Sequence, residues 1–110
     1  MKRQYLITAL WFSLDDNDES LDSMDISDFD PDFLKQTDKD IAKFIKLAGS
    51  LLDDLDDEQV GHDFWLTRNK HSAGFWDGDY EEEVGRRLTE ISGTFLPIDL
   101  YVVNNIVYGD

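Results

Sequence analysis

Hydrophobic positions in this chain fall into five blocks separated by dense polar stretches. The first block, residues 5–14, holds Tyr5, Leu6, Ala9, Leu10 and Phe12 at spacings that fit a helical face. Ile7, Ala9 and Trp11 also fit a strand, and a run this short satisfies both periods; a helix is favoured. The clearest helix is expected over residues 38–55, where Ile41, Phe44, Ile45, Ala48, Leu51, Leu52 and Leu55 recur every three or four positions. Residues 62–68 and 73–77 are aromatic-rich runs flanking the polar Asn69-Lys70-His71-Ser72, which reads as a hairpin. A third helix is expected over 80–95, with Val84, Leu88, Ile91 and Phe95 on one face. Residues 99–103 and 106–108 flank Asn104-Asn105. Two Asn tolerate the positive φ angles of a type I′ turn, so a second hairpin is expected there.

The spacer at 15–32 carries nine acids and no Lys or Arg. Asp, Asn and Ser favour turns, and Leu21, Met24, Ile26 and Phe29 punctuate the stretch, so it is the candidate mobile segment, draped over a core. Asp30-Pro31 has the form of a helix start, with Asp at the N-cap and Pro at the first helical position. The elements predict one α+β domain spanning 1–110. Its sheet would be antiparallel, with about four strands from two hairpins and about three helices on one face.

Composition makes a core feasible, since 41% of residues are hydrophobic and 13% aromatic. Cysteine is absent, which excludes disulfides, thiolate zinc sites and a cysteine nucleophile. Met1-Lys2-Arg3 resembles the start of a signal peptide, but the apolar run after it is short and meets acids without a small-residue cleavage site. No run reaches the ~20 apolar residues of a membrane span. The expected location is the cytoplasm.

Charge changes the picture most. There are 25 acids against 10 Lys and Arg, a formal net charge of −15. Such a surface repels nucleic acid and anionic membranes and attracts basic protein surfaces. Asp53, Asp54, Asp56, Asp57 and Glu58 crowd the expected C-terminal end of the 38–55 helix, where its dipole disfavours them. That placement suggests a use other than helix stability.

Candidate chemistry is sparse. His62, Asp63 and His71, with Asp77 nearby, have the donor types of a metal site but match no metal spacing; structural hydrogen bonding is the commoner use of such residues. Asp16, Asp18 and Ser20 imitate the start of a calcium loop, yet Leu21 stands where Gly is required and Ser27 where Glu is. Asp54, Asp56 and Glu58 fail similarly. No G-x-S-x-G or phosphate-binding glycine loop is present, and Ser72 beside His71 is no triad. Neither an enzyme nor a cofactor is therefore expected. Arg68, Asn69 and His71 form a polar cluster whose simplest partner is one of the chain's own acids. Trp11, Trp65 and Trp76 are either core and cover or an exposed binding patch.

Residues 63–77, from Asp63-Phe64-Trp65-Leu66-Thr67-Arg68-Asn69 through His71 to Gly74-Phe75-Trp76-Asp77, resemble the central motif of small bacteriophage and mobile-element proteins. That motif runs D-F-x-L-T-R-N-x-H-x-x-G-F-W-D. A following helix like 84–91 and a closing hairpin with Leu100, Tyr101 and Val102 extend the resemblance over most of the chain. Many relatives carry Gly where this chain has Lys70 and Ser72. The resemblance implies phage origin and a bacterial host cell as the working compartment, and carries no implication about catalysis.

The expected function is that of an acidic binding protein engaging a basic, nucleic-acid-binding surface of a host or phage protein, as a DNA mimic or inhibitor. Its electrostatic residues are Asp15, Asp16, Asp18, Glu19, Asp22, Asp25, Asp53, Asp54, Asp56, Asp57 and Glu58. Its motif loop holds Arg68, Asn69, His71 and Trp76. The alternative is an accessory or assembly protein using an aromatic sheet face, with acidity serving solubility and a homodimer left open. Neither reading has the chain bind nucleic acid or membrane directly.

Overall fold

A computed structural model describes residues 1–13, 20–21, 23–71, 73–76 and 79–109. The first apolar block forms helix α1, Lys2–Phe12, which buries Tyr5, Leu6, Thr8, Ala9 and Leu10. Helix α2, Pro31–Ala48, begins where the Asp-Pro pair predicts. The Asp30 carboxylate accepts from the Phe33 amide at 3.2 Å, and Pro31 occupies the first helical position, where a missing N–H costs nothing. The helix therefore starts earlier than the 38–55 periodicity suggests. It also ends earlier, at Gly49, whose φ of 52° stops the helix. The apolar period runs on through a 3-10 turn at Gly49–Leu52, so Leu51, Leu52 and Leu55 still pack on the core.

The expected hairpin over 62–77 is not there. Residues Asp57–Arg68 form helix α3, capped by the Asp56 carboxylate on the Glu58 amide. The helix is buried almost all round: Val60, Gly61 and every residue from Asp63 to Arg68 are inside. A helix enclosed on every side shows no polar face and hence no amphipathic period. Its aromatic content then reads as strand. Tertiary burial overrides that local preference.

Helix α4, Glu82–Ser92, lies within the expected 80–95 span and buries Gly85, Leu88 and Ser92. The chain then makes strands β1, Leu100–Val103, and β2, Ile106–Gly109, paired antiparallel from Leu100 opposite Gly109 to Val103 opposite Ile106. Asn104 and Asn105 sit at φ 52° and 65°, as a type I′ turn requires. The described residues thus make an α+β fold with four α-helices and a two-stranded sheet. The two further strands expected from 62–77 are replaced by α3 and a turn.

Side-chain aromatics build the core. Phe44 stacks on Phe64 at 4.2 Å between ring centroids, and Phe64 meets Tyr5 and Phe95 at 5.4 and 5.0 Å. Tyr5 meets Trp65 edge-on at 5.2 Å. Such pairs add ~0.5–1.5 kcal/mol each beyond the area they bury. Elements α1, α2, α3 and the segment after α4 converge on this cluster. The hairpin attaches through Val107: its carbonyl accepts from the Asp30 amide at 2.8 Å, and it bridges Phe29 in parallel. No described helix is long and apolar enough to cross a membrane.

Candidate acidic interaction surface

Arg68 ends α3 beneath the surface, 5% exposed. Its Nε and Nη2 donate to the Leu96 carbonyl at 3.0 and 2.6 Å, and its Nη1 donates to Tyr5 Oη at 3.1 Å and Asp40 at 2.9 Å. The guanidinium also lies 5.3 Å from the Phe95 ring centroid and 5.8 Å from that of Phe64. One cation thereby joins α1, α2, α3 and the segment after α4. A cavity of about 550 Å³ between α2 and residues 94–98 includes Arg68 in its wall. The donors just described point to internal acceptors, so Arg68 is a structural clasp for one of the chain's own acids.

The rest of the motif serves the same end. Asn69 donates to the Trp65 carbonyl at 2.9 Å and accepts from the Ile98 amide at 2.7 Å. Lys70 sits at φ 59°. Its amide bonds to the Thr67 carbonyl at 3.1 Å and the His71 amide to that of Leu66 at 3.0 Å. These two bonds define a Schellman motif, whose left-handed position is usually Gly. Here it is Lys. Thr67 Oγ1 accepts from the Phe75 amide at 3.2 Å, holding the 73–76 turn against α3.

The histidines do not converge with Asp63. His62 Nδ1 meets Thr8 Oγ1 at 2.8 Å, and both His62 and His71 pack edge-on against Phe12, at 5.7 and 5.9 Å. Asp63 points elsewhere, accepting from Gln59 at 2.8 Å and from the Tyr80 hydroxyl at 2.6 Å. Successive helical residues project about 100° apart, which separates His62 from Asp63. No group of three or more His, Asp or Glu suited to one metal ion occurs among the described residues. Asp77 and Ser72 lie outside those residues.

The acids expected to bind a partner divide three ways. Asp15, Asp16, Asp18, Glu19 and Asp22 lie outside the described residues. Asp25 is exposed but also engaged locally, capping the 3-10 turn at Ile26–Asp28 in a reciprocal box with Asp28. Asp53, Asp54, Asp56, Asp57 and Glu58 form an exposed corner between α2 and α3. This corner corrects the expectation that all five are misplaced. The preceding helix stops at Ala48, and Asp56, Asp57 and Glu58 occupy the N-terminal turn of α3, where the dipole favours them. Local helix stability thus accounts for these three. Asp53 and Asp54 precede the cap and have no such account.

Ion pairing leaves most of the acids uncompensated. Among the described residues four acids take part: Asp38 with Lys2, Asp40 with Arg68, and Glu83 and Glu90 with Arg86. The hydrogen bond from Arg86 holds the Glu83 carboxyl below its ordinary range and raises the Arg86 guanidinium in turn. Four lysines, Lys35, Lys39, Lys43 and Lys46, lie exposed along α2. Asp79, Glu81, Glu82 and Glu83 form a second exposed acidic group around the start of α4, and Glu90 is exposed about two turns further along it.

The three tryptophans separate. Trp65 is buried within the aromatic core. Trp11 and Trp76 are 64% and 46% exposed. The sequence could not rank them, since exposure follows from α3 being a helix. No protein-family model matches the chain, and neither a curated protein nor a solved structure is detectably similar to it.

Proposed function

We propose that this chain is a phage-type acidic binding protein that engages a basic, nucleic-acid-binding surface of a host or phage protein. The observation that supports it most is the surplus of solvent-facing carboxylates. Fourteen described acids are exposed, and three of these, Asp38, Glu83 and Glu90, are in ion pairs. Self-repulsion of this kind opposes compaction. A basic partner relieves it, and the same field speeds encounter. Duplex DNA presents one charge per ~1.7 Å of axis, so an array of carboxylates can occupy a groove built for phosphates.

The test is capture of partners by the tagged protein from nuclease-treated bacterial lysate at about 0.1 M and about 0.5 M salt, which brackets weak and strong screening. Retention of a nucleic-acid-handling protein at low salt, lost at high salt, supports the proposal. Capture that is indifferent to salt contradicts it.

A second reading rests on Trp11 and Phe12, adjacent and 64% and 46% exposed at the end of α1. They would anchor an assembly contact with acidity serving solubility. Phe64, Trp65 and Leu66, expected on a sheet for that role, are helical and buried, and the aromatic pair on the described sheet is Tyr101 stacked on Tyr108. A chain that stays monomeric at high concentration removes this reading.

A further inference from the structure

The turn at 73–76 and the start of α4 enclose a groove of about 480 Å³. Its lining includes Phe75, Trp76, Tyr80, Glu81, Glu82 and Glu90, with Arg86 the one cation among the described residues that line it. Several local contacts build it. Gly85 lets α4 approach the turn so closely that a Cβ there would stand 2.5 Å from the Phe75 carbonyl oxygen. Gly74 backs the Trp76 ring, which a Cβ would meet at 2.9 Å. Phe75 is buried and meets Tyr80 edge-on at 5.2 Å, fixing the floor.

The charges are arranged unequally. Arg86 is held by Glu83 and Glu90 at 2.7 Å each, so its charge is already answered. Glu81 and Glu82 are exposed and enter none of the ion pairs among the described residues. An exposed indole beside uncompensated carboxylates has the chemistry that binds a cation with a flat, weakly hydrated face. Phosphates and carboxylates are repelled by the same walls. An ammonium is more strongly hydrated and gives up more on entering.

We propose that this groove receives an arginine side chain of the partner protein, stacked on Trp76 and paired with Glu81 and Glu82. The proposal rests on the basic-partner reading and names the part of the surface that reads the partner's side chain, where bulk charge alone gives attraction without choice. It also gives the Gly74-Phe75-Trp76 part of the motif a role distinct from the clasp formed by Arg68.

The experiment titrates a nona-arginine peptide, and separately nona-lysine, into a W11F background. Trp65 is buried, so the change in emission reports Trp76. The expected results are a change in Trp76 emission on adding the arginine peptide, and about tenfold weaker binding in W76A, in line with a desolvated cation–π contact. W76F retains most of the binding, E81Q/E82Q weakens it, and the lysine peptide depends less on Trp76. Circular dichroism of each variant verifies folding, and W76F keeps the test valid should W76A unfold. Salt-sensitive binding with unmoved emission and an undiminished W76A overturns the groove while leaving the basic-partner reading intact. No binding of either peptide at low salt overturns both.

Discussion

Arg68 and Asp40 are 28 positions apart and meet at 2.9 Å, with the guanidinium side chain 5% exposed and the carboxylate 15%. A buried pair contributes little net stability when intact, because desolvation offsets attraction, but leaving one partner alone is costly. Arg68→Lys keeps the charge and loses the fork that also serves Leu96 and Tyr5. The expected loss is roughly 2–4 kcal/mol. Asp40→Asn leaves the buried guanidinium without its counter-charge and is expected to cost at least as much, about 3–5 kcal/mol, although Leu96 and Tyr5 still accept from Arg68. Urea midpoints at unchanged slope measure both.

Tyr5 predicts an alkaline limit to stability. Burial pushes its phenol from 10.0 up to about 12, against the opposing pull of the Arg68 charge and hydrogen bond. Between those values the native state holds a proton that the unfolded chain has released. Stability is therefore full below about pH 10 and falls as pH rises towards 12, by up to about 3 kcal/mol for a shift of this size. Tyr5→Phe removes that slope, although it lowers stability at neutral pH by freeing an Arg68 donor. Urea unfolding at stepped pH values above 9 distinguishes the two chains.

Lys70 occupies a left-handed position that suits Gly. Lys70→Gly is expected to stabilise by about 0.5–1 kcal/mol, because the strain removed exceeds the added freedom of the unfolded chain. Thermal unfolding would show a midpoint raised by a few degrees. A lowered midpoint would mean that the Schellman bonds do not hold this turn.

Gly85 should behave in the opposite way. Alanine is the better helix former by about 1 kcal/mol. Its Cβ would nevertheless stand 2.5 Å from the Phe75 carbonyl oxygen. Gly85→Ala is expected to destabilise by about 1–3 kcal/mol, an overpacking cost, and to shift Trp76 emission by moving the turn. A chain stabilised by the change would contradict the close approach.

The sequence is legible where a local signal decides. Asp30-Pro31 and Asn104-Asn105 need only backbone chemistry, and both act as expected. The 62–77 hairpin failed because α3 is enclosed on every side from Asp63 to Arg68, so Phe64, Trp65 and Leu66 show neither helical nor strand period. A helix-start signal was present nevertheless: Asp56 before Asp57 and Glu58 is a cap followed by an acidic first turn. Reading those acids as the end of the previous helix hid it, and Gly49 marked the true end. The same error made the acids at 56–58 appear dedicated to a partner. Arg68 was expected to meet an internal acid; its meeting with Asp40, Tyr5 and Leu96 depends on packing between segments far apart in sequence.

Asp56 separates the structural from the electrostatic use of the acidic corner. Serine caps a helix about as well as aspartate. Asp56→Ser should therefore leave the thermal midpoint nearly unchanged, while Asp56→Ala lowers stability by about 1 kcal/mol. Both should weaken binding to a basic partner alike if charge at the corner is what the partner reads.

The central claim, that the acidic surface occupies a site built for nucleic acid, is tested most directly by competition. A partner captured at low salt would be saturated with fluorescent duplex DNA and titrated with this protein, then with D53N/D54N. The account predicts that the protein displaces the DNA and that the variant does so less effectively. A ternary complex, in which the partner holds DNA and this protein together with undiminished affinity, would contradict it.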